Sequence, residues 1–261
     1  MVDNMKIECL LERFVLDTKE VLRENLTGIY LHGSLVMGCF HEKKSDVDLL
    51  VVVNNPMSME QKRAYLEKII RLNEHAPAKG IEMSVVLKSD MMHFHHPASF
   101  EMHFSNAHLK DYKADPEGKL LSLCGTDRDL AAHVTILRRF GKTLFGEEIP
   151  RVFSDVSRKD YLDALMYDIE NAQEDILENP MYTTFSLCRI LAYAAAGEVL
   201  SKKDGAMWFI QREKEEYHEI VRSAIRAYET DEDMIADSET AQAFSEYMLS
   251  KIREALFSAN T

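Results

Sequence analysis

The sequence is poor in cysteine and contains no long hydrophobic run. Its 4 cysteines are widely separated and none forms a Cys-x-x-Cys pair, so neither a disulfide framework nor a zinc site is expected. No segment approaches the roughly 18 consecutive apolar residues that a membrane-spanning helix requires. Residues 1–8 include acids and lack the basic start and apolar stretch of a signal peptide. These absences predict a cytoplasmic protein that does not enter a membrane.

Basic residues are scarce relative to acidic ones. The chain has 31 Lys and Arg against 44 Asp and Glu, a formal net charge of −13. Phosphate backbones require a basic surface, so this balance argues against nucleic acid as the main ligand. The excess lies in residues 151–261, with 22 acids and 12 bases, whereas residues 1–150 hold 22 and 19. Such a field either attracts a cationic small molecule or serves solubility, and charge alone favours solubility.

The hydrophobic pattern changes character near residue 155. Before it, the pattern predicts both element types: helices at 6–24, 58–75 and 127–140, and strands at 28–32, 47–53, 81–87 and 100–104. After it, the pattern predicts only helices, at 158–178, 181–196, 203–212, 215–228 and 238–258. We therefore predict an α/β domain with a small mixed sheet in residues 1–155, followed by an all-α helical bundle in residues 156–261.

A glycine-serine turn and an acidic pair carry most of the chemical information. Gly33-Ser34 follows a predicted strand, and Asp46 and Asp48 lead into a second, apolar strand. Side chains two apart on a strand point to the same face, so the two carboxylates repel unless a cation lies between them. Hard oxygen ligands suit Mg²⁺, and a Gly-Ser turn offers amides and a hydroxyl to phosphate. An isolated Asp-x-Asp is commonly a solvated turn, but this order of elements predicts a nucleotide-transfer centre.

A third carboxylate is expected from a neighbouring strand. Glu82 and Glu101 both lie inside apolar, strand-like runs. A carboxyl group among large apolar side chains has a raised pKa, which suits a general base near neutral pH. We favour Glu82 for this role. An acid such as Glu101 on an outer strand more often faces water or a structural partner.

Two segments of the first half resemble a known family. Residues 31–38 (Leu-His-Gly-Ser-Leu-Val-Met-Gly) and 45–50 (Ser-Asp-Val-Asp-Leu-Leu) resemble the nucleotidyltransferase superfamily that includes DNA polymerase beta. More narrowly, the chain resembles the aminoglycoside adenylyltransferases that modify streptomycin and spectinomycin. The likeness continues in residues 81–87, 100–104, 127–130, 141–146, 186–191 and 197–208. It implies Mg²⁺-dependent transfer of AMP from ATP to a hydroxyl, with Asp46, Asp48 and Glu82 holding metal and Glu82 acting as the base.

The second half supplies candidates for nucleotide and acceptor binding. Arg189 and Lys202 are the cations expected to bind the triphosphate together with Gly33 and Ser34, and Lys202 is favoured over Lys203 by its position in the family-like segment. A salt bridge to a helix acid is the alternative for Arg189. The predicted helix 158–178 carries an acidic stripe whose default interpretation is a solvated face. Its last acids could instead hold the ammonium groups of an aminoglycoside: Glu174, Asp175 and Glu178.

Other candidates are weaker. His93, His95 and His96 resemble a metal cluster, but their neighbours favour a turn before the next strand. Tyr182 and Trp208 could stack on an adenine, although core packing is favoured for both.

The resemblance does not determine which molecule accepts the AMP. Residues 105–107 (Ser-Asn-Ala) replace the Gly-Glu-Trp that the antibiotic-modifying enzymes carry at this point. The expected partners are therefore ATP and a small cationic acceptor, with the protein a monomer or a weak homodimer. Two rival hypotheses are a nucleotidyltransferase acting on a protein hydroxyl and a regulatory module that binds nucleotide without catalysis.

Overall fold

The computed structural model describes residues 4–115, 118, 123–230 and 232–258. The chain separates into two compact units, divided between Tyr161 and Leu162. The first unit contains strands and helices and the second contains helices alone, in the parts of the chain that are described. The predicted fold class is confirmed. The boundary at residues 155 and 156 stays a prediction about independently folding domains.

The first unit is built from a five-stranded mixed sheet, a two-stranded sheet and the helices that cover them. The strands are β1 Leu26–Leu31, β2 Val47–Val53, β3 Ile81–Leu87, β4 Ala98–Phe100, β5 Met102–Phe104, β6 Gly125–Asp127 and β7 Lys142–Gly146. The helices are α1 Asn4–Leu22, α2 Gly33–Val36, α3 Met59–Asn73, α4 Lys88–Met92, α5 Leu109–Ala114, α6 Leu130–Phe140 and α7 Ile149–Val152.

Strand β2 is the centre of the larger sheet, whose order is β5-β3-β2-β1-β7. It pairs in parallel with β3 and antiparallel with β1. Its apolar side chains alternate between two cores, as the period of a strand requires. Leu49 and Val51 pack with residues of α1 and α3, whereas Leu50 and Val52 pack with residues of α6. Asp48 lies two residues before Leu50 on the strand, so its carboxylate is on the same face, the one that α6 covers.

Three details of the first unit differ from the sequence-based prediction. The predicted strand 100–104 is two strands in two sheets, because β4 pairs with β6 while β5 pairs with β3. Helix α6 begins at Leu130 and not near 127, since residues 125–127 are engaged in that β4 pairing. Strand β7, which lies at the edge of the sheet beside β1, was not predicted.

The second unit is a set of helices around one buried helix. Helix α8, Arg158–Asp168, crosses the division, and the rest are α9 Ala172–Glu178, α10 Pro180–Ala196, α11 Lys202–Arg212, α12 His218–Glu229 and α13 Ser238–Ser258. Helix α10 is apolar on most of its surface and correspondingly buried. Gly197, in the left-handed conformation at φ +69°, ends it.

The prediction of one helix over residues 158–178 is wrong. The chain turns after Asp168, with the amide of Glu170 donating to Tyr167 O and that of Ala172 to Ile169 O, which are bonds of three-residue spacing. The acidic residues of this segment therefore do not form one helical stripe. They are divided between α8, the turn and α9.

Candidate active site

Strands β2 and β3 bring three predicted carboxylates together. Parallel pairing sets Asp48 directly opposite Glu82, and Asp46 lies two residues before Asp48. One oxygen from each of the three carboxylates lies within 4.8 Å of the others, and all three side chains are half-buried. The sequence-based expectation that Asp46 and Asp48 share a face is confirmed. Close, partly desolvated carboxylates of this kind repel one another unless a proton or a cation is shared between them.

The carboxyl group of Glu82 is the one most affected by this crowding. Burial raises its pKa from 4.5 to about 7, and the neighbouring carboxylates of Asp46 and Asp127 add to the rise. His133 opposes it. Glu82 therefore changes its protonation state near neutral pH, which is the property required of a general base.

The glycine-serine turn lies against the same carboxylates. Gly33 has a φ of +68°, and a Cβ at this position would lie 1.8 Å from Asp48 Oδ2. Only glycine allows both the left-handed backbone and this close approach. Next to it, the Ser34 hydroxyl oxygen is buried and has no hydrogen-bond partner among the described residues. A buried hydroxyl without a partner is costly in a protein interior, and a ligand oxygen at the site would satisfy it.

Two histidines also belong to this site and were not predicted. His32 is buried, and its ring centroid lies 4.8 Å from that of His133 on α6. Burial, followed by the proximity of His133, holds the pKa of His32 well below its usual value. Asp127, at the end of β6, is a third residue of the site, and its charge raises the pKa of Glu82. Tertiary packing of α6 and β6 brings these residues to the strands, and no sequence spacing signals it.

Glu101 does not join the carboxylate cluster. Its Oε2 accepts a hydrogen bond of 3.0 Å from the Met57 amide and lies 3.7 Å from Lys62 Nζ. Lys62 is almost fully buried, so Glu101 neutralises a cation that would otherwise be costly there. This confirms the structural role considered for Glu101.

The histidine-rich segment forms no metal site in the described part of the chain. His93, His95 and His96 belong to no group of potential ligands there. His95 Nδ1 instead lies 3.0 Å from the carbonyl oxygen of His93, and β4 begins two residues after His96. The interpretation as a turn before a strand is confirmed.

In the second unit, Arg189 lies on the buried helix α10. Its Nη2 is 3.8 Å from Asp168 Oδ2, so the salt bridge to a helix acid that was the alternative to triphosphate binding is present. Its Nε is buried without a hydrogen-bond partner in the part of the chain that the structure describes. Gly205 permits the close packing of α11 here, because a Cβ on it would lie 2.8 Å from Arg189 Cγ.

Lys202, the other predicted cation, lies against an aromatic ring that the same acid holds. Its Nζ is 4.7 Å from the ring centroid of Tyr182, whose hydroxyl donates a 2.8 Å hydrogen bond to Asp168 Oδ1. We call Asp168, Tyr182, Arg189 and Lys202 the Asp168 cluster. Lys203 is instead ion-paired with Glu229, in agreement with the preference for Lys202.

The remaining predicted residues lie elsewhere in the second unit. Glu174, Asp175 and Glu178 are exposed on α9. Glu174 lines a cleft with Glu170, Glu246 and Arg253 among others. Trp208 is buried and donates a 3.3 Å hydrogen bond to Glu198, which confirms the core-packing interpretation. Within the described residues, no helix combines the length and apolar content needed to cross a membrane.

Comparisons with known proteins match both halves of the chain. The nucleotidyltransferase domain family matches residues 15–102, and the family described as aminoglycoside adenylyltransferase, C-terminal domain, matches residues 151–251. Among curated relatives, the aminoglycoside (3'') (9) adenylyltransferase of Klebsiella pneumoniae is 25% identical over 242 residues, covering 90% of each chain. The spectinomycin 9-adenylyltransferase of Enterococcus faecalis is 23% identical, covering 79% of this chain and 81% of that protein.

The fold is shared with proteins of known structure. A spectinomycin adenyltransferase from Enterococcus faecalis, crystallised with ATP and spectinomycin, superposes with a TM-score of 0.79 at 20% identity. The match covers 94% of this chain and 98% of that one.

Proposed function

Since this chain belongs to the aminoglycoside adenylyltransferase family, we propose that it transfers AMP from ATP to a hydroxyl group of an aminoglycoside antibiotic and releases pyrophosphate. The observation that carries the proposal is the cluster of Asp46, Asp48 and Glu82 beside the Gly33-Ser34 turn. A module that only binds nucleotide has no need of a carboxyl group whose pKa is raised towards neutrality.

The donor set fits a magnesium ion. Carboxylate oxygens are the ligands that Mg²⁺ prefers, and the repulsion among Asp46, Asp48 and Glu82 is relieved by a divalent cation. When bound, Mg²⁺ supplies charge neutralisation for the triphosphate and for the leaving pyrophosphate. We assign Asp46 and Asp48 as its principal ligands, with Glu82 completing the set.

The protein groups have separate tasks in the transfer. The acceptor hydroxyl oxygen forms a bond to the α-phosphorus of ATP, and the bond from that phosphorus to the bridging oxygen of pyrophosphate breaks. Glu82, in its ionised form, takes the proton that the hydroxyl loses. The buried Ser34 hydroxyl, which has no partner among the described residues, donates to a phosphate oxygen, as do the backbone amides of the Gly33 turn.

Arg189 and Lys202 bind the triphosphate in this proposal. The unsatisfied Nε of Arg189 supports this assignment, because a phosphate oxygen supplies the acceptor that the described residues do not. The acceptor is cationic, in keeping with the acidic second half and with the relatives' names. The exposed acids of α9, Glu174, Asp175 and Glu178, are the residues that we assign to its ammonium groups.

Pyrophosphate release tests the proposal directly. Purified protein is incubated with ATP, Mg²⁺ and either streptomycin or spectinomycin, and the product is identified by its mass. Asp48→Asn is expected to abolish turnover while preserving the melting temperature. Glu60→Gln, which changes an exposed carboxylate at the start of α3, is the matched control and should retain full activity.

Two outcomes contradict the proposal. One is full activity in Asp48→Asn. The other is labelled AMP that appears on a polypeptide while no aminoglycoside is modified, which identifies the protein as an enzyme acting on a protein hydroxyl.

A further inference from the structure

The Asp168 carboxylate holds two side chains at once. Its Oδ1 accepts the 2.8 Å hydrogen bond from Tyr182, and its Oδ2 lies 3.8 Å from Arg189 Nη2. The second distance is too long for a hydrogen bond, so Arg189 is held by charge alone. The side chains of Asp168 and Arg189 are only 23% and 20% exposed, which makes this attraction stronger than that of a surface ion pair.

Tyr182 links Asp168 to the second cation, Lys202. Its hydroxyl is fixed by the carboxylate, and the face of its ring lies 4.7 Å from Lys202 Nζ. An ammonium group is attracted to the negative face of an aromatic ring at this distance. A ring that is fixed at its hydroxyl therefore limits the positions available to a long, flexible lysine side chain.

The hydrogen bonds of the cluster are incomplete. The buried Nε of Arg189 has no acceptor among the described residues. A triphosphate would supply one, because its charged oxygens accept hydrogen bonds from a guanidinium group.

We propose that Asp168 and Tyr182 are positioning residues that hold Arg189 and Lys202 in the arrangement that binds the triphosphate of ATP. Neither residue needs to contact the nucleotide. The inference rests on the proposed function, which takes Arg189 and Lys202 as triphosphate ligands. It goes further by naming the groups that arrange them, and neither group is identifiable from sequence motifs.

A double-mutant cycle on ATP binding tests the inference. Affinity for ATP with Mg²⁺ is measured by calorimetry on the full chain for Tyr182→Leu, Lys202→Met and the double variant. We expect each single change to weaken binding about tenfold. The double variant should bind as Lys202→Met does, because the ring acts through the lysine. Tyr182 is 38% exposed, so these variants are expected to fold.

A second variant isolates the hydrogen bond to Asp168. Tyr182→Phe keeps the ring and removes the hydroxyl, and we expect ATP binding to weaken about fivefold. Tyr167→Phe, an exposed tyrosine next to Asp168 in the chain, is the matched control and should bind ATP as the wild type does.

The possible results separate this inference from the proposed function. Wild-type affinity in Tyr182→Leu, or losses that add in the double variant, overturn the positioning role. Wild-type protein that binds ATP but modifies no aminoglycoside overturns the proposed function, while the cycle still decides the positioning role. Wild-type protein that does not bind ATP overturns both.

Discussion

Replacing Glu82 by glutamine should stabilise the protein when no divalent cation is present. In the folded protein the pKa of Glu82 is raised from 4.5 to about 7, so ionising this group at alkaline pH costs folding free energy. Since a tenfold change in an equilibrium constant corresponds to about 1.4 kcal/mol, the cost has an upper limit of about 3 kcal/mol. Glutamine has nearly the same shape and no charge, and it removes this cost.

The pH dependence follows from the sign of the shift. A carboxyl group with a raised folded pKa keeps its full contribution to stability below pH 4.5 and loses it as the pH rises through about 7. Glu82→Gln should therefore be more stable than the wild type at pH 8, by up to about 3 kcal/mol. At pH 5 the difference should fall to about 1 kcal/mol or less. Added Mg²⁺ should reverse the order, because it stabilises the wild type through the carboxylates.

Urea unfolding in EDTA at pH 5 and pH 8 measures these differences. The control is Glu101→Gln, at a glutamate between β4 and β5 whose carboxylate neutralises the buried Lys62. It should lose stability, by about 2 to 3 kcal/mol, since it leaves a buried cation unpaired. Equal or lower stability of Glu82→Gln at pH 8 in EDTA would refute the idea that burial and the neighbouring carboxylates oppose the ionisation of Glu82 in the metal-free protein.

Two further predictions use pairs of similar residues. Gly33→Ala should abolish activity because the new methyl group meets the Asp48 carboxylate, whereas Gly38→Ala, with a similar φ of +71° and nothing within 4 Å, should cost only about 1 kcal/mol of stability. Activity assays and thermal melts decide this, and equal activity in the two variants would contradict the steric argument. Lys202→Met should raise the KM for ATP about tenfold, whereas Lys203→Met, which only breaks the ion pair with Glu229, should leave it unchanged. Equal KM values in these two variants would remove Lys202 from the proposed site.

The sequence was most informative where chemistry and local structure coincide. Asp46 and Asp48 start an apolar strand, so their shared face followed from the period of a β-strand alone. The buried strand β3 was recognised for the same reason, and with it Glu82. The parallel pairing that sets Asp48 opposite Glu82 could not be predicted, because the sequence of each strand does not indicate which strand it pairs with.

The parts that sequence reasoning missed depend on packing between distant segments. His133 reaches the site because Leu130, Val134 and Leu137 of the same helix are buried against the sheet. The end of α8 at Asp168 was missed because the helical period of the sequence continues to residue 178. Strand β7 is short and only partly buried, so it lacks the apolar run that marks the central strands.

The central position of β2 determines how firmly Asp48, a proposed metal ligand, is held. A strand with hydrogen-bonded neighbours on both sides and buried side chains on both faces takes part only in the rarest opening motions. Asp48 therefore stays in place through the frequent local fluctuations that disturb loops and helix ends. The carboxylate of Asp48, a proposed metal ligand, is therefore in place before a cation binds, and its placement requires no preceding folding event.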